Sequence, residues 1–265
     1  MRRATWVWKQ PPASDLVPWA ERHGVDELFL AVRPDLAPVS DVRWAREVVL
    51  AAHAAGISVS ALGGDGEWVD HPEQAMGWAR AVCAMQVFDG VHLDVEPWAR
   101  TDWDARRAEV VAGYVDVLRR LAATCPLRLE ADVAFWLHEV RTASGTPLDE
   151  AVLRLVDAVT VLSFRNVATG PDSIIDVART SLATADRLGI PCSLAVETND
   201  LGPDPVQRKQ TFFGRGHAAM AGALEVVEAE AVRVPSYAGM AVHDLDGWRT
   251  LEAAGRVTQP GGGAA

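Results

Sequence analysis

Three ionisable side chains alternate with aliphatic ones in residues 88–98 of this chain, Phe-Asp-Gly-Val-His-Leu-Asp-Val-Glu-Pro-Trp. This period-2 alternation predicts a β-strand over 90–96, with His92, Asp94 and Glu96 on one face and valine and leucine on the other. Two neighbouring carboxyl groups cannot both ionise freely, so one of them should keep its proton near neutral pH. Glu96, followed by proline, is the best candidate for a general acid, with Asp94 as its modulator. The structural alternative is a paired polar cluster, or an edge strand facing water.

Strands of this kind recur along the chain, separated by amphipathic helical segments. Eight strand–helix units in series predict a parallel sheet, and a chain of 265 residues favours a closed (β/α)8 TIM barrel over an open doubly wound sheet. No G-x-G-x-x-G follows the first strand, which weakens the dinucleotide-binding alternative. We predict a single α/β domain, the barrel, over 1–257 and a disordered Gly-rich tail over 258–265. The predicted strands cover 4–8, 27–33, 57–62, 90–96, 127–134, 158–164, 191–197 and 238–244. The predicted helices cover 14–23, 41–55, 72–86, 102–124, 148–156, 172–188, 217–231 and 247–254.

In such a barrel the active site lies at the C-terminal ends of the strands. The segments that leave the predicted strands are longer and more polar than those that enter them, and 197–216 is the longest. Carboxylates beside indole rings suit a carbohydrate, because aromatic faces stack on sugar rings and carboxylates bind hydroxyl groups. For each Trp, the alternative is that it plugs the barrel mouth. The candidate ligand-binding residues at this rim are Trp6, Trp8, Asp65, Trp68, His92, Trp98, Asp132, Trp136, Arg165, Asn166, His243, Asp244 and Trp248.

The segment 89–96, Asp-Gly-Val-His-Leu-Asp-Val-Glu, resembles the strand-4 motif D-G-x-D-x-D-x-E of chitinase-type (family eighteen) glycoside hydrolases. Asp89, Asp94 and Glu96 match its acidic positions, and His92 replaces the remaining Asp. The resemblance implies that Glu96 is the general acid and that Asp94 orients a substrate acetamido group acting as the nucleophile. The same family holds the acetamide with a Tyr after strand 6, where this chain has Ser-Phe-Arg-Asn at 163–166.

A second resemblance is to the retaining barrel glycosidases of the large four/seven group. These enzymes carry an acid/base Glu on strand 4 and a nucleophilic Glu on strand 7, and Glu96 and Glu197 fall at those places. That group usually has Asn before the strand-4 Glu, where this chain has Val95. The alternative for Glu197 is a salt bridge with a rim arginine such as Arg165.

Two other functional interpretations remain open. His92, Asp94 and Glu96 could bind a metal in a metal-dependent hydrolase, although no known ligand spacing is present and no metal or other cofactor is predicted. Alternatively, the barrel binds a sugar or a protein without catalysis, which a missing nucleophile would favour. The preferred hypothesis is a glycoside hydrolase-like enzyme acting on an intracellular oligosaccharide or glycoconjugate. Its oligomeric state is not predicted.

The composition limits the classes of molecule that this chain can bind. The net charge is −11 and no run of Lys or Arg occurs, so nucleic acid and anionic membranes are poor partners. Trp accounts for ten residues and Tyr for only two. The three cysteines are odd in number, far apart in sequence and without redox spacing, which favours a reducing compartment. Together with the lack of an apolar stretch near the N-terminus, this predicts a cytoplasmic protein.

Overall fold

The computed structural model describes residues 1–33 and 39–257 and contains a closed barrel of parallel strands. Each strand pairs with the next, and the last pairs with the first. The strands are Arg2–Val7 (β1), Glu27–Ala31 (β2), Ser58–Gly63 (β3), Gly90–Leu93 (β4), Arg128–Ala134 (β5), Ala158–Leu162 (β6), Cys192–Glu197 (β7) and Tyr237–His243 (β8). The predicted (β/α)8 barrel is therefore confirmed. The predicted tail over 258–265 lies outside the described residues.

The helices that surround the barrel follow the predicted order with shifted ends. They are Ala13–Arg22 (α1), Val39–Ala54 (α2), Pro72–Met85 (α3), Arg107–Thr124 (α4), Leu148–Leu153 (α5), Ile174–Leu188 (α6), Pro205–Gln210 (α7), His217–Ala231 (α8) and Leu245–Val257 (α9). Short 3-10 helices cover Gly66–Val69, Pro97–Ala99 and Leu137–Glu139. No helix of the described residues is long and apolar enough to cross a membrane.

Helix α7 was not predicted and lies within the long segment after β7. Its start carries a full capping box: the Asp204 side chain accepts from a backbone N–H of the first turn, and the Gln207 side chain accepts from the backbone N–H of Asp204. Pro205 occupies the first helical position, where a missing N–H costs nothing. These signals are present in the sequence, but six residues are too few for a periodic apolar pattern.

The strand that carries the candidate acid ends earlier than predicted. β4 stops at Leu93, although the backbone N–H of Asp94 still donates to the carbonyl of Gly63 at 3.0 Å. Glu96 has φ 42°, a left-handed conformation that ends the extended chain immediately before Pro97. Gly64 runs so close to this turn that a Cβ atom there would lie 1.9 Å from the Asp94 carbonyl oxygen. The close approach of the β3 and β4 ends therefore requires glycine at this position.

The interior of the barrel is filled with side chains in layers. Trp6, Phe29, Leu62 and Leu162 form an apolar middle layer together with small alanines. On β4, the side chains of Val91, Leu93 and Val95 are instead buried in the core between the barrel and the helices. The side chain of His92 therefore points into the barrel, as the alternation along β4 predicted. The barrel is a packed core with no open pore.

A buried ion network occupies the N-terminal end of the lumen. Arg2 donates to both carboxylate oxygens of Glu130 at 2.8 Å each, and its Nε lies 2.7 Å from Glu27. Thr160 also donates to Glu130, at 2.6 Å. Burial acts to raise the pKa of Glu130, but Arg2 and His92 hold it well below its usual range. The carboxylate is therefore ionised and saturated with donors, as a buried charge must be.

The first testable prediction concerns this network. Glu130→Ala leaves the Arg2 and His92 charges buried without their partner, so the free energy of unfolding should fall by about 3–5 kcal/mol. Urea denaturation measures it. Asp116→Ala is the control, since Asp116 pairs with Arg119 and Arg120 on the surface of α4 and should cost below about 1 kcal/mol. Equal losses in the two variants would show that the network does not stabilise the barrel.

Candidate active site

Two carboxyl groups without hydrogen bonds stand at the C-terminal end of β4. Within the described residues, the side chains of Asp94 and Glu96 accept no hydrogen bond and form no ion pair, and Asp94 Oδ1 is fully buried. Burial, followed by the negative charges of Asp132 and Glu96, raises the pKa of Asp94 well above its usual range. Burial, then Asp132, raises the pKa of Glu96 to about 7, against the opposing effect of His243. Both groups can therefore hold a proton near neutral pH.

Asp132 connects these carboxyl groups to the rest of the lumen. Its Oδ2 accepts from the indole Nε1 of Trp6 at 3.2 Å and lies 3.0 Å from Nε2 of His92. The other carboxylate oxygen, Oδ1, is buried and has no partner within the described chain. Asp132 therefore brings negative charge to the floor of the site, and this charge disfavours ionisation of both Asp94 and Glu96.

His92 lies one layer below the two carboxyl groups and is completely buried. Its ring stacks on Phe29 with centroids 3.6 Å apart, and its Nδ1 lies 3.6 Å from Glu130 on the side opposite Asp132. Burial acts to lower the pKa of His92, but Asp132 and Glu130 raise it to about 9. The ring is therefore an imidazolium at neutral pH. It joins Asp132 at the site to the Arg2–Glu130 pair below.

Glu197 is held in place from all sides. Its Oε1 accepts from the backbone N–H groups of Thr198 and Asn199 at 2.7 Å and from the Asn199 amide at 3.0 Å. Its Oε2 accepts from Nδ1 of His243 at 2.8 Å. The salt bridge that the sequence suggested for Glu197 is therefore with His243, while Arg165 pairs with Asp172 at 2.7 Å.

His243 closes the other side of the mouth. Burial acts to lower the pKa of His243, but Glu197 raises it to about 9. Nε2 of His243 accepts from the indole N–H of Trp8 at 3.2 Å. An indole nitrogen can only donate, so this contact requires an unprotonated Nε2. The contact is therefore made by the neutral ring, which predominates above this pKa, and Trp8 itself is 42% exposed.

The predicted tryptophans separate into two groups. Trp8, Trp98 and Trp136 are partly exposed near the site, and the rings of the last two meet edge to face at 6.0 Å. Trp103, which was not predicted, extends this aromatic group by packing on Trp136 at 6.2 Å. Trp8, Trp98 and Trp136 present indole surface that could contact a ligand, whereas Trp103 is buried behind them.

The stacking role predicted for three other tryptophans is wrong. Trp6 is 0% exposed because it fills the barrel lumen, so it contributes its N–H to Asp132 and no face to a ligand. Trp68 is buried against Trp78, outside the barrel. Trp248 is buried in α9 against Trp19. Sequence position near a strand end does not distinguish the two sides of the barrel wall.

Four polar candidates have structural contacts of their own. Asp65 caps the 3-10 helix that follows β3, and Asp244 accepts from the backbone of Gly247 in α9. The amide of Asn166 donates to the carbonyls of Arg208 and Thr211. Arg165, besides pairing with Asp172, lies over the ring of Phe135. The structure does not join these four to the Asp94–Glu96 pair.

The structure does not assemble the metal site considered above. Both ring nitrogens of His92 face the carboxylates of Asp132 and Glu130, below Asp94 and Glu96. Among residues 1–33 and 39–257, no group of three or more His, Cys, Asp or Glu side chains is arranged to hold a metal ion.

The sequence analysis did not identify the charged residues at the N-terminal end of the lumen. Arg2, Glu27 and Glu130 were not considered because they lie at strand beginnings, away from the rim. The available signal was parity, since Glu130 is two residues before Asp132 and so faces the same side of β5. Phe29, which stacks on His92, carries the same signal on β2.

Comparison with known proteins identifies the fold. No protein-family model matches the chain, and no curated protein is significantly similar to it. A chitinase from Bacteroides thetaiotaomicron superposes with a TM-score of 0.59 at 12% identity, covering 93% of this chain and 90% of that one. A GH18 chitinase from Pseudoalteromonas aurantia gives a TM-score of 0.57 at 14% identity, covering 97% and 99%. The spore cortex-lytic enzyme SleL from Bacillus megaterium gives 0.55 at 12% identity, covering 94% and 73%. The chain therefore has a barrel of the kind found in chitinases, in agreement with the strand-4 resemblance.

The second prediction tests the environment of Glu96 through stability. The folded chain holds this proton with a pKa of about 7, against 4.5 for an unperturbed Glu, so ionisation between these pH values destabilises the fold. Glu96→Gln removes that loss. It should be about 1–3 kcal/mol more stable than the parent at pH values above 7 and equally stable below 4.5.

Chemical denaturation across this pH range is the measurement. Glu225→Gln, at an exposed position of α8, is the control and should show no such difference. A constant stability difference at all pH values would mean that Glu96 ionises like an exposed carboxyl group.

Proposed function

We propose that this protein is a glycoside hydrolase that cleaves an oligosaccharide, with Glu96 as the general acid. The observation that carries the proposal is the Glu96 carboxyl group at the C-terminal rim, which accepts no hydrogen bond from the described residues and has its pKa raised to about 7. Hydrolysis of a glycosidic bond needs a group that is protonated at working pH and can give its proton to the leaving oxygen. The fold shared with chitinases supports this assignment.

Asp94 is the partner of Glu96 in this proposal. It precedes the acid by two residues, lies at the same rim, and has a raised pKa because of burial, Asp132 and Glu96. Its unpaired Oδ1 gives it capacity to bind a polar group of the substrate. In the chitinase-type motif this position orients an acetamido group, so we propose a substrate that carries an N-acetyl group next to the scissile bond. Phe164 stands near His243 where the motif family has a Tyr, so Asp94 must hold the acetamide without that hydroxyl.

In this mechanism Glu197 has a structural role at the C-terminal end of the barrel, whereas the four/seven group uses the Glu at this place as its nucleophile. A carboxylate that attacks a sugar needs a free lone pair aimed at the anomeric carbon. The oxygens of Glu197 already accept four hydrogen bonds, three of them on Oε1, and its side chain is almost fully buried. These bonds lower its nucleophilicity and fix it against β8.

A barrel that binds sugar without catalysis is the second candidate. Trp6 fills the lumen directly below the site, and the Trp8–His243 contact lies across its mouth. If Trp8 does not turn away, the site remains shallow, and the exposed indoles would bind a glycan that is never cleaved. Hydrolysis assays decide between the two candidates.

The third prediction tests Glu96 as the acid. Glu96→Gln should reduce hydrolysis of unactivated N-acetylated oligosaccharides by about 10²–10⁴-fold. Aryl glycosides with good leaving groups should lose less, because their departure needs little protonation. In the parent enzyme kcat/KM should fall as pH rises above about 7, and Asp132→Asn should move this alkaline limb to lower pH by removing a neighbouring negative charge.

The amide oxygen that Asp132→Asn introduces can still accept from Trp6 and His92, so folding, followed by circular dichroism, is the control for that variant. No hydrolysis of any glycoside by the parent, with binding retained, would support the non-catalytic barrel, whereas equal activity of the parent and Glu96→Gln on every glycoside would exclude Glu96 as the acid. If Asp132→Asn is active and its kcat/KM falls at the same pH as in the parent, the charge of Asp132 does not determine the pKa of the acid.

The fourth prediction separates the two glycosidase mechanisms. Asp94→Asn should be nearly as damaging as Glu96→Gln, because both side chains act on the same bond. Glu197→Ala should keep aryl glycoside hydrolysis within about 10² of the parent and should give no glycosyl azide when azide is added. Glu197→Gln, which preserves the shape of the side chain, is the matched control for loss of the buried contacts. Azide rescue of an inactive Glu197→Ala would instead make Glu197 the nucleophile.

A further inference from the structure

Two of the three cysteines meet in the folded chain. Cys83 lies in the last turn of α3, and Cys125 directly follows α4. They are 42 residues apart in sequence, yet their Sγ atoms are 3.5 Å apart and within hydrogen-bond distance. Both residues are partly exposed, whereas Cys192 is buried in β7. Their separation in the sequence therefore does not reveal this contact.

We propose that Cys83 and Cys125 are a disulfide-forming site that reacts with a low-molecular-weight disulfide such as oxidised glutathione. The proposal does not depend on the glycosidase activity. The thiolate of Cys125 attacks one sulfur of the oxidant and releases one glutathione thiolate, which takes up a proton. The thiolate of Cys83 then attacks Sγ of Cys125 in the mixed disulfide, and the second glutathione leaves. Two protein thiols are oxidised, and one glutathione disulfide is reduced to two thiols.

The surroundings of Cys83 affect the rate of disulfide formation. Burial, then its hydrogen bond with Cys125, raises the pKa of the Cys83 thiol to about 11. Little of it is thiolate at neutral pH, and only the thiolate attacks a disulfide. Attack by Cys83 should therefore be slow at neutral pH and faster in mild alkali.

The position of the pair gives the bond a defined effect. The loop that it would close, 83–125, contains all of β4 with His92, Asp94 and Glu96. The cysteines themselves lie where α3 and α4 lead into β4 and β5, at the N-terminal face of the barrel. This face supports stability, whereas ligands bind at the opposite rim. A bond here restricts the unfolded segment that carries the site without contacting the site.

The experiment uses the full-length protein, fully reduced and then incubated with oxidised glutathione in mild alkali. Free thiols under denaturing conditions should fall from three to one, and peptide mapping should find Cys83 linked to Cys125. The oxidised monomer should unfold at a temperature roughly 5–10 °C higher than the reduced one, and a reducing agent should reverse the shift.

Cys192→Ser is the matched control and should oxidise like the parent. Cys83→Ser and Cys125→Ser should each stop the stabilisation, and Cys83→Ser should accumulate glutathione on Cys125 as a stable mixed disulfide. Three remaining thiols after prolonged oxidation, a crosslink to Cys192, or glutathione on both cysteines of the parent would overturn the proposal.

Discussion

A buried imidazolium between two carboxylates is the interaction on which the rest of the barrel interior depends. His92 faces Asp132 on one side and Glu130 on the other, and Glu130 is in turn held by the bidentate guanidinium of Arg2. Each charge is tolerated in the packed lumen only because its neighbour has the opposite sign. Removing any one of them would leave an uncompensated charge in a space that Phe29 and Trp6 shield from water.

This chain of charges also determines the chemistry at the rim. Because His92 and Trp6 both direct hydrogen atoms at Asp132, its carboxylate is fixed beneath Asp94 and Glu96. Its negative charge adds to the cost of burial and raises the pKa of both groups above it. His92 replaces an Asp of the chitinase-type motif, and it therefore turns a position of negative charge into one of positive charge. The proton on Glu96 is therefore favoured by the negative Asp132, and the positive His92 holds Asp132 in place.

The sequence was sufficient for the architecture and for the inward face of β4, because both depend on local periodicity, although the end of β4 at Leu93 was not predicted. Alternation of side chains gave the strands and the inward direction of His92, and the order of strands and helices gave the barrel. The lumen was harder to predict, because Trp6 and Trp248 both adjoin strand ends and only three-dimensional packing shows that one fills the barrel and the other an outer layer. Cys83 and Cys125 meet through the packing of α3 on α4, a contact that no spacing in the sequence encodes. Helix α7 had clear capping residues but too short a periodic pattern.

The site contains two kinds of carboxyl group, and the supply of hydrogen-bond donors separates them. Glu130 and Glu197 are buried and each accepts several hydrogen bonds from fixed donors, and for Glu130 these bonds and the charges of Arg2 and His92 favour the charged form. Asp94 and Glu96 are half-buried, yet within the described chain they have no donor at all, so the neutral form is favoured. A barrel that withholds donors from two adjacent carboxyl groups gives up stability at neutral pH. This loss of stability has a functional reason when a substrate binds at the rim, because its polar groups then form the hydrogen bonds that Asp94 and Glu96 lack in the folded chain.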